Sequence, residues 1–89
     1  MLVETNDIAA TVAGEMTDIL AGEPVAVTDD FFISGGDSLR AVELITRLTD
    51  RYRPAQGGEE NVLGSALLVA IFDDATPQAL AAVIERHRR

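Results

Sequence analysis

Apolar residues recur along this chain at helical spacing in four separate stretches. Ile8, Val12, Met16, Ile19 and Leu20 fall three and four positions apart, with Glu15 and Asp18 on the opposite face. Asn6 or Asp7 can cap the start, and Gly22 before Glu23 and Pro24 supplies a stop, which predicts a first helix over about 7–21. A second stripe joins Ala41, Val42, Ile45, Leu48 and Tyr52, widened by Leu39 and Leu44. It predicts a helix over 38–53 that opens near Ser38 and is ended by Pro54. Arg40, Glu43, Arg47, Asp50 and Arg51 point away from that stripe, and Glu43 with Arg47 forms an i,i+4 pair in the favoured order. Leu67, Leu68, Ile71 and Phe72 predict a short third helix over about 65–73. Thr76 as N-cap and Pro77 at the first helical position open a fourth over 77–88, with Leu80, Val83, Ile84 and His87 on its stripe.

Two stretches break the rhythm. Residues 55–61 are polar and carry two glycines, as a mobile loop does. Residues 23–37 form a long connection with apolar anchors at Val25, Val27, Phe31 and Phe32. So long a connection in a small domain is usually functional. The expected fold is all-α: a single domain over residues 1–89, a four-helix bundle with a long loop between helices one and two and a short third helix.

Composition supports that outline and narrows the function. The 89 residues carry no cysteine and only four aromatics, so neither disulfides nor a thiolate metal site can staple the fold, and its core must be aliphatic. Size scaling gives about 5,000 Å² of folded surface against about 14,000 Å² for the extended chain, so roughly 60% is hidden, near the lower limit for a domain without staples. Fifteen carboxylates face seven arginines, for a net charge of −8. Residues 1–39 hold eight acids and no base, while Arg86, Arg88 and Arg89 crowd the C-terminal end. Such a surface repels nucleic acid and anionic membrane and attracts partners with basic docking faces. The acidic start is unlike a signal peptide, and the longest apolar run, Ala66 to Phe72, is too short to span a bilayer. These features lead us to expect a cytoplasmic monomer.

Chemistry concentrates in Phe31-Phe32-Ile33-Ser34-Gly35-Gly36-Asp37-Ser38-Leu39. The glycines permit φ > 0 and a close backbone approach, and the phenylalanines can plug the loop into the core. Ser38 then stands at a helix N-terminus, where free N–H groups and the macrodipole favour an anion. The simplest account of Ser38 is an ordinary N-cap, and of Asp37 a solvated acid near a helix start. An enzymatic role for Ser38 lacks its partners. Arg40 stands where a nucleophile elbow needs glycine, and the one histidine, His87, lies three residues from the end. Neither Asp29-Asp30 nor Asp73-Asp74 has the spacing of a calcium loop. No catalytic residue and no metal site is therefore assigned.

Residues 29–48 resemble the core of a phosphopantetheine-binding carrier protein, of the peptidyl-carrier or thiolation type used in nonribosomal peptide synthesis. That family reads Asp-x-Phe-Phe-x-x-Gly-Gly-x-Ser-Leu and continues with Ala, Leu and Leu, as Ala41, Leu44 and Leu48 do here. The resemblance implies a four-helix bundle with the serine at the start of helix two. Ser38 would accept 4′-phosphopantetheine from coenzyme A through a Mg²⁺-dependent phosphopantetheinyl transferase, with Gly35, Gly36, Asp37 and Leu39 supporting the site. The protein would be a non-catalytic carrier, loaded by an adenylation enzyme or domain and met by condensation or tailoring enzymes. Arg40, Glu43 and Arg47, on the exposed side of helix two, would be contact candidates. The first methionine and the length favour a free-standing protein. The alternatives are an acyl carrier of polyketide or fatty-acid type, which Asp37-Ser38-Leu39 would suit, and an unmodified acidic interaction module. Two departures stand out: a longer loop from Arg53 to about Gly64, and a proline moved past the threonine in Phe72-Asp73-Asp74-Ala75-Thr76-Pro77. Both lie away from Ser38 in sequence and are expected to touch partner contacts rather than attachment.

Overall fold

A computed structural model describes residues 3–52 and 60–88. They form four helices: α1 Val3–Leu20, α2 Ser38–Arg51, α3 Glu60–Asp73 and α4 Pro77–Arg88. α1 packs against α2 and α4, and α3 against the same two, while among the described residues neither diagonal pair is in contact. The helices thus close a ring around one core, the all-α four-helix bundle that the periodicity predicts. Among the described residues no helix is long and apolar enough to cross a membrane.

The core is aliphatic apart from one ring. Val12 and Met16 of α1, Leu44 and Leu48 of α2, Leu67 and Ile71 of α3, and Leu80 and Ile84 of α4 are fully buried around Phe31 of the long loop. Burial of this kind contributes about 1.5–3 kcal/mol per large side chain, which outweighs the helix propensities of individual residues.

That hierarchy explains where the elements differ from expectation. α1 begins at Val3, so neither Asn6 nor Asp7 is its cap. Asn and Asp lower helix propensity by at most about 0.7 kcal/mol each, too little to halt a helix that buries Ile8 and Ala9 on the next turn. At its other end Ala21, not Gly22, takes the left-handed conformation, with φ 54°. α2 stops at Arg51 with Tyr52 as its C-cap, whose N–H donates to the Leu48 carbonyl at 2.9 Å. Pro54 and most of the expected mobile loop lie outside the described residues, but residues 60 and 61 are already helical. α3 is 14 residues long rather than short, because burying Leu63 recruits a further turn.

The wide apolar stripes are also only partly internal. α2 buries Ala41, Leu44, Ile45 and Leu48, leaving Leu39 and Val42 exposed. α3 buries Leu63, Leu67 and Ile71, while Leu68 and Phe72 face outward. Three or four contact positions per helix fill the space its neighbours leave, and further apolar residues on the flanks stay exposed. His87 is exposed on α4. Thr76 does cap that helix: its Oγ1 accepts the Ala79 N–H at 3.1 Å.

Candidate functional site

The loop before α2 is built residue by residue to hold its last members still. Asp30 Oδ1 accepts the N–H groups of Phe32 and Ile33 at 2.8 and 3.1 Å, closing a turn. Ser34 then donates to the Asp30 carbonyl, Gly35 to that of Phe32, and Gly36 to that of Phe31, at 2.9, 3.2 and 2.9 Å. Gly35 has φ +119°, a conformation that side-chain-bearing residues rarely adopt. Gly36 lies close against the Phe31 ring, where any Cβ would overlap it. Each glycine of the pair therefore has its own requirement, one for backbone conformation and one for contact.

The same loop is fastened to distant parts of the chain. Val25 N–H donates to Thr17 Oγ1 at 2.9 Å. Phe31 N–H donates to the Ala75 carbonyl and Gln78 N–H to that of Val27, both at 3.0 Å. The first of these bonds ties the altered Phe72–Pro77 segment to the loop that leads to the serine, and the second fastens the start of α4 to the same loop. The turn between α3 and α4 is the platform on which the serine loop rests.

Ser38 is the first residue of α2, and its neighbour Asp37 is the cap. With extended backbone (φ −139°, ψ −177°), Asp37 accepts the Arg40 N–H on Oδ1 at 2.9 Å. The ordinary N-cap account of Ser38 thus fails, because Asp37 already does that work. Ser38 is exposed and leaves the first helical turn accessible to an anion. Ile33, Leu39 and Val42 are exposed beside it in the chain, Leu39 to 80%. An esterified phosphate with a flexible arm fits this position: an exposed hydroxyl on the first helical turn and open space at Gly35.

The three charged candidates divide. Arg40 is exposed and pairs locally with Asp37, its Nη1 3.1 Å from Oδ2. Glu43 is exposed and accepts from Arg47 Nη2 at 3.0 Å, the predicted i,i+4 pair. Arg47 instead reaches across to α1, donating through Nη1 to Glu15 at 3.0 Å and Asp18 at 2.8 Å. Arg51 Nη2 donates to the other Glu15 oxygen at 2.7 Å. The Arg51 and Arg47 guanidiniums hold the Glu15 carboxyl below the ordinary value of 4.5, and the surrounding carboxylates, Asp18 first, raise Arg47. Glu15, placed on the outward face by periodicity, is in fact the hinge pin between α1 and α2.

Sequence reasoning missed Phe72 as a neighbour of the loop. Its ring stacks on Phe32, with centroids 5.6 Å apart and planes at 17°. The apolar period alone assigned it inward. The only available signal was its position just ahead of the α3–α4 turn.

The comparisons with known proteins follow this geometry. The family described as "Phosphopantetheine attachment site" matches residues 7–55, which contain the whole loop and α2. Tyrocidine synthase 2 of Brevibacillus parabrevis is 30% identical over 91% of this chain and 2% of its own length. Cyclosporin synthetase simA of Tolypocladium inflatum is 39% identical over 92% of this chain, a share of the synthetase that rounds to 0%. Surfactin synthase subunit 2 of Bacillus subtilis (strain 168) is 41% identical over 49% of this chain and 1% of its own length. The chain thus spans about a fiftieth or less of these relatives. No solved structure gives a significant match. With more than half its length matched, and the matched part containing the diglycine, the Asp37 cap and Ser38, the chain belongs to the phosphopantetheine-binding carrier family.

Proposed function

We propose that this chain is a carrier domain for nonribosomal peptide or related synthesis, with Ser38 as its attachment residue. The observation that carries the reading is the division of labour at the start of α2, where Asp37 caps the helix and Ser38 is left exposed on its first turn. The Ser38 oxygen forms a new bond to phosphorus of coenzyme A while the pyrophosphate bond breaks. The adenosine bisphosphate portion leaves, and the serine proton passes to the transferase. When bound, the group supplies a flexible arm ending in a thiol, on which an amino-acyl or acyl cargo is held as a thioester. The chain's own residues present the hydroxyl, keep the helix start intact and offer a partner surface. Gly35, Gly36, Asp37 and Leu39 support the site. Arg40 and Glu43 are contact residues for the transferase, adenylation and condensation partners, and Arg47 serves them indirectly by holding α2 on α1.

The test is an intact mass after incubation with coenzyme A, Mg²⁺ and a promiscuous phosphopantetheinyl transferase. Gain of one phosphopantetheine by the wild type and none by Ser38→Ala is the expected result. No gain, or a gain that persists in Ser38→Ala, overturns the assignment and leaves an unmodified interaction module. Challenging the modified protein with adenylating enzymes and with acyltransferases then separates peptidyl from acyl carriage.

A further inference from the structure

The chain has three phenylalanines, and all three belong to one line of ring contacts. Phe31 is fully buried and lies close against Gly36. Phe32 meets Phe31 edge to face, with centroids 5.6 Å apart and planes at 74°. Phe72, on the last turn of α3, lies nearly parallel to Phe32. The line begins at Phe31, against the glycine two residues before Ser38, and ends on the surface of α3, where Phe72 is 61% exposed. Core packing does not place Phe72 there, since α3 buries Leu63, Leu67 and Ile71 on its other side. Three residues further on, the Ala75 carbonyl holds the Phe31 N–H. The end of α3 and the turn after it therefore hold the serine loop twice, once through rings and once through backbone.

We propose that Phe72 is a positioning residue for Ser38, acting through Phe32 and Phe31. This rests on Ser38 being the attachment residue. The Phe31 ring has no slack against Gly36, so a lateral shift of that ring moves the Gly36 backbone and with it Asp37 and Ser38. Stacking on Phe72 restricts where Phe32 can lie, and Phe32 in turn restricts Phe31. The turn whose sequence departs from the family pattern is thus part of the presentation of the serine.

The experiment compares Phe72→Leu, Phe72→Tyr and Val69→Ala with the wild-type chain. Val69 is a suitable control, being 72% exposed on the same helix and outside the ring line. Each protein is assayed for phosphopantetheinyl transfer with coenzyme A and Mg²⁺, and for the amide chemical shifts of Gly36 and Ser38 without any modification. Phe72→Leu is expected to lower kcat about 3- to 10-fold, the range an aromatic pair can supply, with KM for the carrier unchanged. Its Gly36 and Ser38 amides should shift, Phe72→Tyr should retain wild-type behaviour, and Val69→Ala should change neither readout. A raised KM with unchanged kcat makes Phe72 a surface contact and overturns the proposal, as do unmoved amides. If the wild type takes no phosphopantetheine, the attachment reading fails separately, and the amide shifts alone decide whether the ring line holds the loop.

Discussion

The two ends of α2 are held by different physics. Toward its C-terminal end, Arg47 and Arg51 reach carboxylates on α1 through long, partly exposed side chains. At its start, the helix is preceded by Gly36, which rests on a buried ring, and by a loop bonded to the α3–α4 turn. Ion pairs of flexible side chains tolerate small displacements and weaken with salt. A glycine in van der Waals contact with a packed ring tolerates almost none. The polar end sets how α2 lies on α1, and the apolar end sets where one residue stands.

Removing the anchor should have the largest effect. Phe31→Ala is expected to lower stability by about 3–5 kcal/mol in urea unfolding and to impair transfer to the protein that remains folded. Leu48→Ala, a loss of about 2–5 kcal/mol, sharpens the contrast because transfer to its folded fraction should be normal. Equal transfer defects in the two variants would dissolve the distinction between anchor and general core.

Next comes Gly36→Ala, in which the added methyl overlaps the Phe31 ring. Overpacking of this kind lowers stability by about 1–3 kcal/mol, and here it should also slow modification. An unchanged transfer rate would show that the contact does not govern the serine.

The polar end should respond differently. Arg47→Gln is expected to lower the unfolding midpoint less than Gly36→Ala, with a loss that shrinks as salt rises. Its acid dependence follows from Glu15, whose folded-state value is depressed chiefly by Arg51 and then by Arg47. A depressed carboxylate stabilises the fold above its ordinary value of 4.5, and that contribution is lost as pH falls through the lower folded value. Arg51→Gln should therefore flatten the stability profile in this acid window more than Arg47→Gln does. A profile identical to wild type in both variants would remove Glu15 as the source.

The smallest effect concerns affinity alone. Arg40→Glu places a carboxylate beside Asp37 and two residues from Ser38, whereas Arg86→Glu alters the exposed end of α4. Partner binding at fixed ionic strength should weaken more for Arg40→Glu, with stability unchanged in either. Equal weakening would mean that net charge, rather than the site, attracts the partner.

Much of this was legible in the linear pattern because it depends on near neighbours. Helical spacing, the Thr76 cap before Pro77, the Glu43–Arg47 pair and the diglycine ahead of Ser38 all act within a few residues. The cap at Asp37 instead of Ser38 was less legible, since adjacent Asp and Ser are both good caps and only backbone geometry chooses between them. Leu39, Val42, Leu68 and Phe72 were misplaced for a related reason. A helical period identifies an apolar side, but the width of that side that is buried depends on the neighbouring helices.

The chain alone was enough for the number and type of elements, the acidic first half and the serine motif, since propensity, capping and charge are local or additive. Folding decided what Arg47 is for, because its carboxylate partners on α1 lie 29 and 32 residues away. Folding also joined Phe31 to Ala75 and Phe32 to Phe72, contacts that no periodicity announces. Such pairings arise when helices close a common core and bring remote residues within a few ångströms. The serine is written in the sequence, while the platform that holds it is assembled from the other end of the chain.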